Sequence, residues 1–180
     1  MIVMINGSFG IGKTTTAHLL HKLLPGSVIY DPEWVGYVLR RLPNWIPLKG
    51  SDTDDYQDMD LWRRSAVIGT HLFRVFASGT VIVPMAFSHY AYFNEIVTGI
   101  KRFEPEFRVF CLRASEATIR ERLLGRGTSV TSTESAWITR RVRECVAAHN
   151  DSHFGEFVDT ENRPAQEVAE DILGRLKAIK

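Results

Sequence analysis

The chain is poor in most of what would mark it as secreted, membrane-spanning or a dedicated nucleic-acid binder. Its 180 residues hold two cysteines, Cys111 and Cys145. That is too few for a disulfide framework and fits a reducing compartment. No apolar run approaches the roughly 18 residues of a membrane-crossing helix. The opening Met1-Ile2-Val3-Met4-Ile5-Asn6 lacks the basic region and small-residue cleavage site of a signal peptide. A cytoplasmic protein is expected. Charge of one sign is missing too: Lys+Arg total 22 and Asp+Glu 21, a net charge of +1. A protein built for duplex nucleic acid carries a basic surplus, so no nucleic-acid partner is expected. No repeat or long linker divides the chain, and its length suits one domain spanning 1–180. With 44% hydrophobic and 24% charged residues, it has an ordinary globular mix.

What is present is a regular alternation. Ile2 to Asn6 is a short apolar run ending in a glycine-rich turn. Ala17, Leu20, Leu23 and Leu24 then fall on one helical stripe, which Pro25-Gly26 stops. Val28-Ile29-Tyr30 reads as a second strand, and Asp31-Pro32 as the cap and first position of a helix to about Leu42. A helix is expected over Asp54 to Ala77, with Leu61, Ile68, Leu72, Val75 and Phe76 as its apolar face. Thr80 to Pro84 is a buried strand, Tyr90 to Phe103 a helix, and Phe107 to Leu112 a strand. Ser115 caps a helix to about Gly125, and another runs from Glu134 to about His149. Phe157-Val158 begins the last strand, and the last helix starts at Pro164, with Val168, Ile172, Leu176 and Ile179 on one face. Parallel strands joined by helical crossovers make an α/β, doubly wound sheet of about five strands. Ligands bind such sheets at the carboxyl ends of the strands, an edge that holds Asn6, Asp31, Pro84 to Phe87, Arg113 and Thr160.

Gly7-Ser8-Phe9-Gly10-Ile11-Gly12-Lys13-Thr14 matches G-x-x-x-x-G-K-[ST], after a strand and opening a helix. Such a loop curls backbone N–H groups around phosphate, and the helix N-terminus adds partial positive charge. Lys13 then reaches the terminal phosphates, and the Thr14 hydroxyl ligates Mg²⁺. Gly7, Gly10, Ile11 and Gly12 are candidate nucleotide contacts. No Asn-Lys-x-Asp guanine reader occurs, and Asp171-Ile172-Leu173-Gly174 lies within the last helix, so this is no signalling GTPase. The buried strand ends in Pro84-Met85 rather than in the acid that often completes a metal site. That favours a small-molecule kinase whose second strand supplies the carboxylate. Asp31 is that residue: it can accept a hydroxyl proton or hold a water on Mg²⁺, and it can also cap the following helix.

Glu121-Arg122-Leu123-Leu124-Gly125-Arg126 resembles the approach to the lid of adenylate-kinase-like enzymes, whose arginines neutralise charge on the transferring group. The small, polar stretch after it suits a lid at about 126–140. Arg140, Arg141 and Arg143 follow on the return helix, either closing over phosphate or forming a solvated basic face.

More specific stretches resemble the tunicamycin-resistance protein family, a branch of the nucleoside-monophosphate-kinase-like P-loop proteins. They are Ile5-Asn6-Gly7 through Thr16, Tyr30-Asp31-Pro32-Glu33, Leu61-Trp62-Arg63, Ile82-Val83-Pro84-Met85, Tyr92-Phe93-Asn94-Glu95-Ile96 and Val168-Ala169-Glu170. Kept in order, they spread over nearly the whole chain. The resemblance implies strand order 2-3-1-4-5, ATP binding with Mg²⁺, and resistance to tunicamycin, a uridine-containing antibiotic, by phosphorylation or by binding alone. It implies nucleotide contacts at Gly10, Gly12, Lys13, Thr14 and Thr15, lid roles for Arg122 and Arg126, and a substrate or metal role for Asp31. It also points to Arg63 as a grip on an acceptor's anionic group, and to Thr160 through Pro164, with Arg163, as the adenine segment.

On the acceptor side Trp34, Tyr37, Trp45, Met85, Phe87 and Tyr90 suit a uracil ring or an acyl chain, though each also suits core packing. The acids Asp52, Asp54, Asp55, Asp58 and Asp60 fit a helix start and lack a calcium-loop glycine. His149 and His153 lack a third metal ligand. The last helix is expected to cover the sheet rather than touch a membrane.

Overall fold

The computed structural model describes residues 1–41, 55–125 and 133–178. The strands are β1 (Ile2–Asn6), β2 (Val28–Ile29), β3 (Val81–Met85), β4 (Phe107–Arg113) and β5 (Glu156–Asp159). The helices are α1 (Lys13–Leu23), α2 (Glu33–Arg41), α3 (Asp60–Phe76), α4 (Tyr90–Lys101), α5 (Glu116–Gly125), α6 (Thr133–Ala148) and α7 (Ala165–Lys177). Short 3-10 turns lie at Tyr56–Asp58 and Ser152–Phe154. All the strand pairings are parallel, in the order β2-β3-β1-β4-β5, as expected.

The period-two alternation of a strand buried on both faces divides the core. Ile2 and Met4 of β1 join Val81, Val83 and Met85 against α3 and α4, through Trp62, Ala66, Phe93, Ile96 and Ile100. Val3 and Ile5 join Ile82, Phe110, Leu112 and Val158 against α1 and α7, through Ala17, Leu20, Val168 and Ile172. Each such aliphatic side chain taken fully from water stabilises the fold by about 1.5–3 kcal/mol. No described helix is long and apolar enough to cross a membrane.

The third helix departs from expectation twice. It begins at Asp60, because Asp55 Oδ1 accepts the Gln57 N–H at 2.9 Å and closes a separate 3-10 turn, after which Met59 is extended. The acidic run therefore caps a short turn before it leads the long helix. Its expected apolar face is also turned outward: Ile68, Leu72, Val75 and Phe76 are exposed, while Trp62, Ala66 and Thr70 are buried. The helix docks through Trp62 near its start and through small residues along the rest of that face. A Cβ at Gly69 would lie 2.1 Å from the Tyr30 hydroxyl, so only glycine admits that ring, which also stacks on Phe73.

Strand β2 pairs with β3 only through Val28 and Ile29, while β3 continues beside β1 through Pro84 and Met85. The chain thus leaves the sheet at Tyr30-Asp31, one strand away from the phosphate loop. Ile179, expected on the last helical face, lies outside the described residues.

Candidate nucleotide and acceptor site

The phosphate loop leaves β1 and enters α1 through two glycines with left-handed backbone, Gly10 (φ 78°) and Gly12 (φ 109°). Gly10 carries a second constraint: a Cβ there would stand 2.6 Å from Leu123 Cγ, so the loop and α5 are in direct contact. Gly12 caps α1 without a side-chain hydrogen bond, and no acid occupies the first turn. The positive helix end is therefore not neutralised by a side chain at the cap or in the first turn, as anion binding requires. The side chains of Thr14 and Thr15 are exposed there. Lys13 is buried; its Nζ donates to the Ser8 carbonyl at 3.0 Å and sits 5.3 Å from the Phe9 ring centroid.

Arg122 joins the loop to β5. Its Nη1 donates to the Ile11 carbonyl and to Thr160 Oγ1, both at 3.1 Å, and its Nη2 donates to the Thr160 carbonyl at 2.6 Å. Thr160 in turn donates its N–H to the Arg113 carbonyl at 2.8 Å. Arg163 donates to the Asp159 and Glu167 carbonyls and to Asp171, which fixes the turn into α7. A hollow of about 190 Å³ is lined by Gly12, Thr15, Arg122, Thr160, Arg163 and Val168. The fold thus brings the loop together with the residues expected to hold adenine. A larger cleft of about 700 Å³ opens beside it along β4 and β5, past Ser8, Arg113, His149 and Glu161. Arg126 lies outside the described residues.

Across the loop, Asp31 stands half-buried at the end of β2. Its Oδ1 accepts the Glu33 N–H at 3.0 Å, and its Oδ2 makes no hydrogen bond among the described residues. One oxygen thus caps α2, as expected, while the other makes no such bond. Burial raises the Asp31 pKa; the Glu33 N–H and the charge of Lys13 oppose that rise.

The other acceptor-side candidates separate. Met85 and Phe87 are buried in the core, where Phe87 packs edge-on against Phe93. Trp34, by contrast, is 72% exposed on α2, and Tyr37 and Tyr90 are also exposed. Arg63 is engaged within the protein: Nε pairs with Glu95 at 2.7 Å, Nη1 donates to the Gln57 carbonyl at 2.7 Å, and the guanidinium lies over Tyr92. It braces α3, the 3-10 turn and α4 with bonds already made. Trp45, Asp52 and Asp54 lie outside the described residues. Cys111 and Cys145 are free, buried thiols whose pKa values burial pushes up to about 12 and about 11.

Two site residues carry no motif in the sequence. Asn6 Oδ1 accepts the Gly7 N–H at 2.9 Å and the Phe87 N–H at 3.0 Å, tying the start of the phosphate loop to the segment after β3. His149 Nε2 lies 2.6 Å from the Phe87 carbonyl, so that nitrogen carries the proton and donates it. Burial pulls the His149 pKa down to about 4, leaving the ring neutral near pH 7. The peptide of Phe87 is thus held at both ends. Only the position of Asn6 at the close of β1 could have suggested it. Arg141, read as a return-helix cation, is instead buried and paired with Asp55 at 3.0 Å and Glu144 at 3.0 Å.

Among known families, the AAA domain matches residues 2–145, which carry the phosphate loop, Asp31 and Arg122. The chain belongs to the AAA domain family. Among solved structures, this AAA domain chain is similar to a tunicamycin resistance protein from Deinococcus radiodurans. The two are 29% identical over 98% of this chain and 95% of that one, with a TM-score of 0.73. It shares its fold with a gluconokinase from Sinorhizobium meliloti 1021 (17% identity, 98% and 91% covered, TM-score 0.66). It also shares it with a shikimate kinase from Acinetobacter baumannii in complex with shikimate (12%, 99% and 94%, TM-score 0.63). No curated protein matches the chain. The fold is that of the P-loop kinases, and the likeness to a tunicamycin resistance protein holds across the whole length.

Proposed function

We propose that this protein is an ATP-dependent phosphotransferase acting on a hydroxyl of tunicamycin or a related nucleoside-type compound, and that it confers tunicamycin resistance. One observation carries the reading: the anion-ready end of α1 and the free oxygen of Asp31 stand on the same sheet edge, close enough for the charge of Lys13 to act on Asp31. The N–H groups of the loop hold the phosphates of ATP. Lys13 leaves the Ser8 carbonyl to meet the terminal phosphate. The exposed Thr14 hydroxyl, with Asp31 through water, fits Mg²⁺, which neutralises phosphate charge when bound. Asp31 Oδ2 accepts the proton of the acceptor's hydroxyl as that hydroxyl's oxygen forms the new bond to the γ-phosphorus, whose bond to the bridging oxygen breaks and releases ADP. Arg122 and Arg126, the latter in a lid over about 126–140 of a single domain, balance the charge that develops on the moving group. A cytoplasmic location suits a consumer of ATP.

Mass spectrometry of tunicamycin incubated with the protein and Mg·ATP tests this reading. A gain of one phosphoryl group is expected, lost in Lys13→Ala; an unchanged antibiotic mass defeats the transferase reading. A second reading, nucleotide-gated sequestration of the antibiotic, draws support from the run Pro84-Met85-Ala86-Phe87, which puts no carboxylate after β3. In that case ATP and tunicamycin each raise the other's affinity by the same factor, with no change in the antibiotic's mass.

A further inference from the structure

Among the described residues, the buried side-chain polar atoms that lack a hydrogen-bond partner gather in one region. They are Glu33 Oε1, Tyr56 Oη, Gln57 Oε1 and two nitrogens of Arg141, Nε and Nη2. Tyr56 and Gln57 are 1% exposed and Arg141 is 3% exposed, so solvent does not satisfy them. Folded proteins rarely leave such atoms unpaired, and one region collecting all of them calls for a specific cause.

The region lies beside Asp31. Burial above all raises the pKa values of Tyr56 and Glu33; after burial, the phenol of Tyr56 feels the charges of Glu33, Asp55 and Asp31, and Glu33 those of Lys13, Asp31 and Asp55. Arg141 Nη2 lies 3.0 Å from Asp55 Oδ2 without hydrogen-bond alignment, while Nη1 donates to Ser88 Oγ at 2.8 Å and pairs with Glu144. Packing locks the frame: Tyr56 stacks at a tilt on Trp62 at 4.9 Å, and Gln57 Nε2 donates to the Ala86 carbonyl at 2.6 Å. A Cβ at Gly36 would be 2.6 Å from the Tyr56 ring, so α2 is fitted closely to it.

The charges are unequal. Asp31, Glu33, Asp55 and Glu144 bring four carboxyls, and Arg141 is already met by two of them. Lys13 is committed to the phosphate loop. The spare capacity is therefore for neutral hydrogen bonds: acceptors on Glu33 and Gln57, a donor on Arg141, and a hydroxyl on Tyr56 that serves as either. An acceptor carrying a carboxylate meets like charge there, and among the described residues no uncommitted cation faces it.

We propose that Glu33, Tyr56, Gln57 and Arg141 form the acceptor pocket beside Asp31, and that this pocket takes a neutral, polyhydroxylated acceptor and rejects an anionic one. The proposal rests on the reading above, in that Asp31 marks where the acceptor hydroxyl sits. It deepens that reading by naming the recognising atoms and the charge they exclude. The pocket differs from one built around a free cation. Its unmet hydrogen bonds weaken the free protein and are completed only by the ligand.

Calorimetry on the full chain, with Mg²⁺ and a non-hydrolysable ATP analogue, tests it. Tunicamycin is the neutral probe; gluconate and shikimate are the anionic ones. Tunicamycin is expected to bind at least about 100-fold tighter than either acid. Tyr56→Phe, which keeps the ring, weakens tunicamycin binding by about tenfold, the measure of one hydrogen bond. The same substitution raises the melting temperature of the free protein, because it deletes an unpaired hydroxyl. Glu33→Gln, which keeps the shape and changes the acceptor, brings its own loss of affinity. Unchanged tunicamycin binding in both variants overturns the proposal. So does a fall in melting temperature for Tyr56→Phe, equal or tighter binding of the acids, or no tunicamycin binding by the native protein. Phosphoryl transfer, followed separately by mass, tells the two claims apart. Transfer that persists while both variants bind normally sinks the pocket alone. The expected binding pattern without transfer sinks the phosphotransferase alone.

Discussion

The two sides of the phosphate loop are finished to different degrees. On the nucleotide side, Lys13, Arg122, Thr160 and Arg163 all have protein partners, most of them backbone carbonyls. On the acceptor side, Glu33, Tyr56, Gln57 and Arg141 keep polar atoms that no hydrogen bond in the described protein satisfies. A carbonyl that holds a cation can be exchanged for a phosphate oxygen at little net cost, since one hydrogen bond replaces another. An orphaned atom has nothing to exchange and gains a bond outright. The first arrangement suits a ligand common to many enzymes, and the second suits discrimination among acceptors.

The strongest way to break this contrast is to acidify the seam between the two sides, where His149 holds the Phe87 carbonyl. The folded protein keeps His149 neutral down to about pH 4, whereas the unfolded chain takes up the proton near the ordinary histidine value of 6.5. Stability is therefore full above about pH 6.5 and falls as pH drops toward 4, by about 3 kcal/mol for this group. Urea unfolding at pH 7 and pH 4.5 should show the loss, and His149→Gln should flatten it. Next in size, Lys13→Ala lowers phosphoryl transfer at least about 100-fold while tunicamycin binding persists, measured by mass and by calorimetry. Arg122→Gln releases the loop from Thr160 and weakens Mg·ATP binding by about tenfold, measured by titration. The smallest effect belongs to Cys111 and Cys145: raised thiol pKa values and burial leave both unreactive toward a thiol reagent at pH 7 until the protein unfolds.

Local patterns made much of this visible beforehand. The strand–loop–helix of residues 2–23, the alternation of elements and the position of Asp31 all follow from short-range spacing, and the structure keeps them. The buried face of α3 was not legible, because its stripe of Ile68, Leu72, Val75 and Phe76 gives a proper helical period while docking is decided by what fits Tyr30. Beyond Trp62, small residues won over large apolar ones through close approach. Asn6 and Arg141 were visible as candidates but their partners were not, and Tyr56 and His149 carried no site signal, because their meaning lies in partners far along the chain. Asn6 finds Phe87, and Arg141 finds Asp55. The partners of Arg63 were equally hidden: a motif stretch suggested a ligand grip, and the fold sets Glu95 and the Gln57 carbonyl against the guanidinium.

Pro84 lies in β3 opposite Ile5 of β1. On its other flank, the Tyr30 N–H donates to the Ile82 carbonyl at 3.0 Å, and the next rung of that parallel ladder needs an N–H at position 84. Proline has none, so the seam between β2 and β3 stops there and the chain is released at Asp31. The opening beside the phosphate loop is thus written into a pyrrolidine ring. Neither cooling, titration nor an empty site can zip it shut, and restoring the missing rung takes a change of residue.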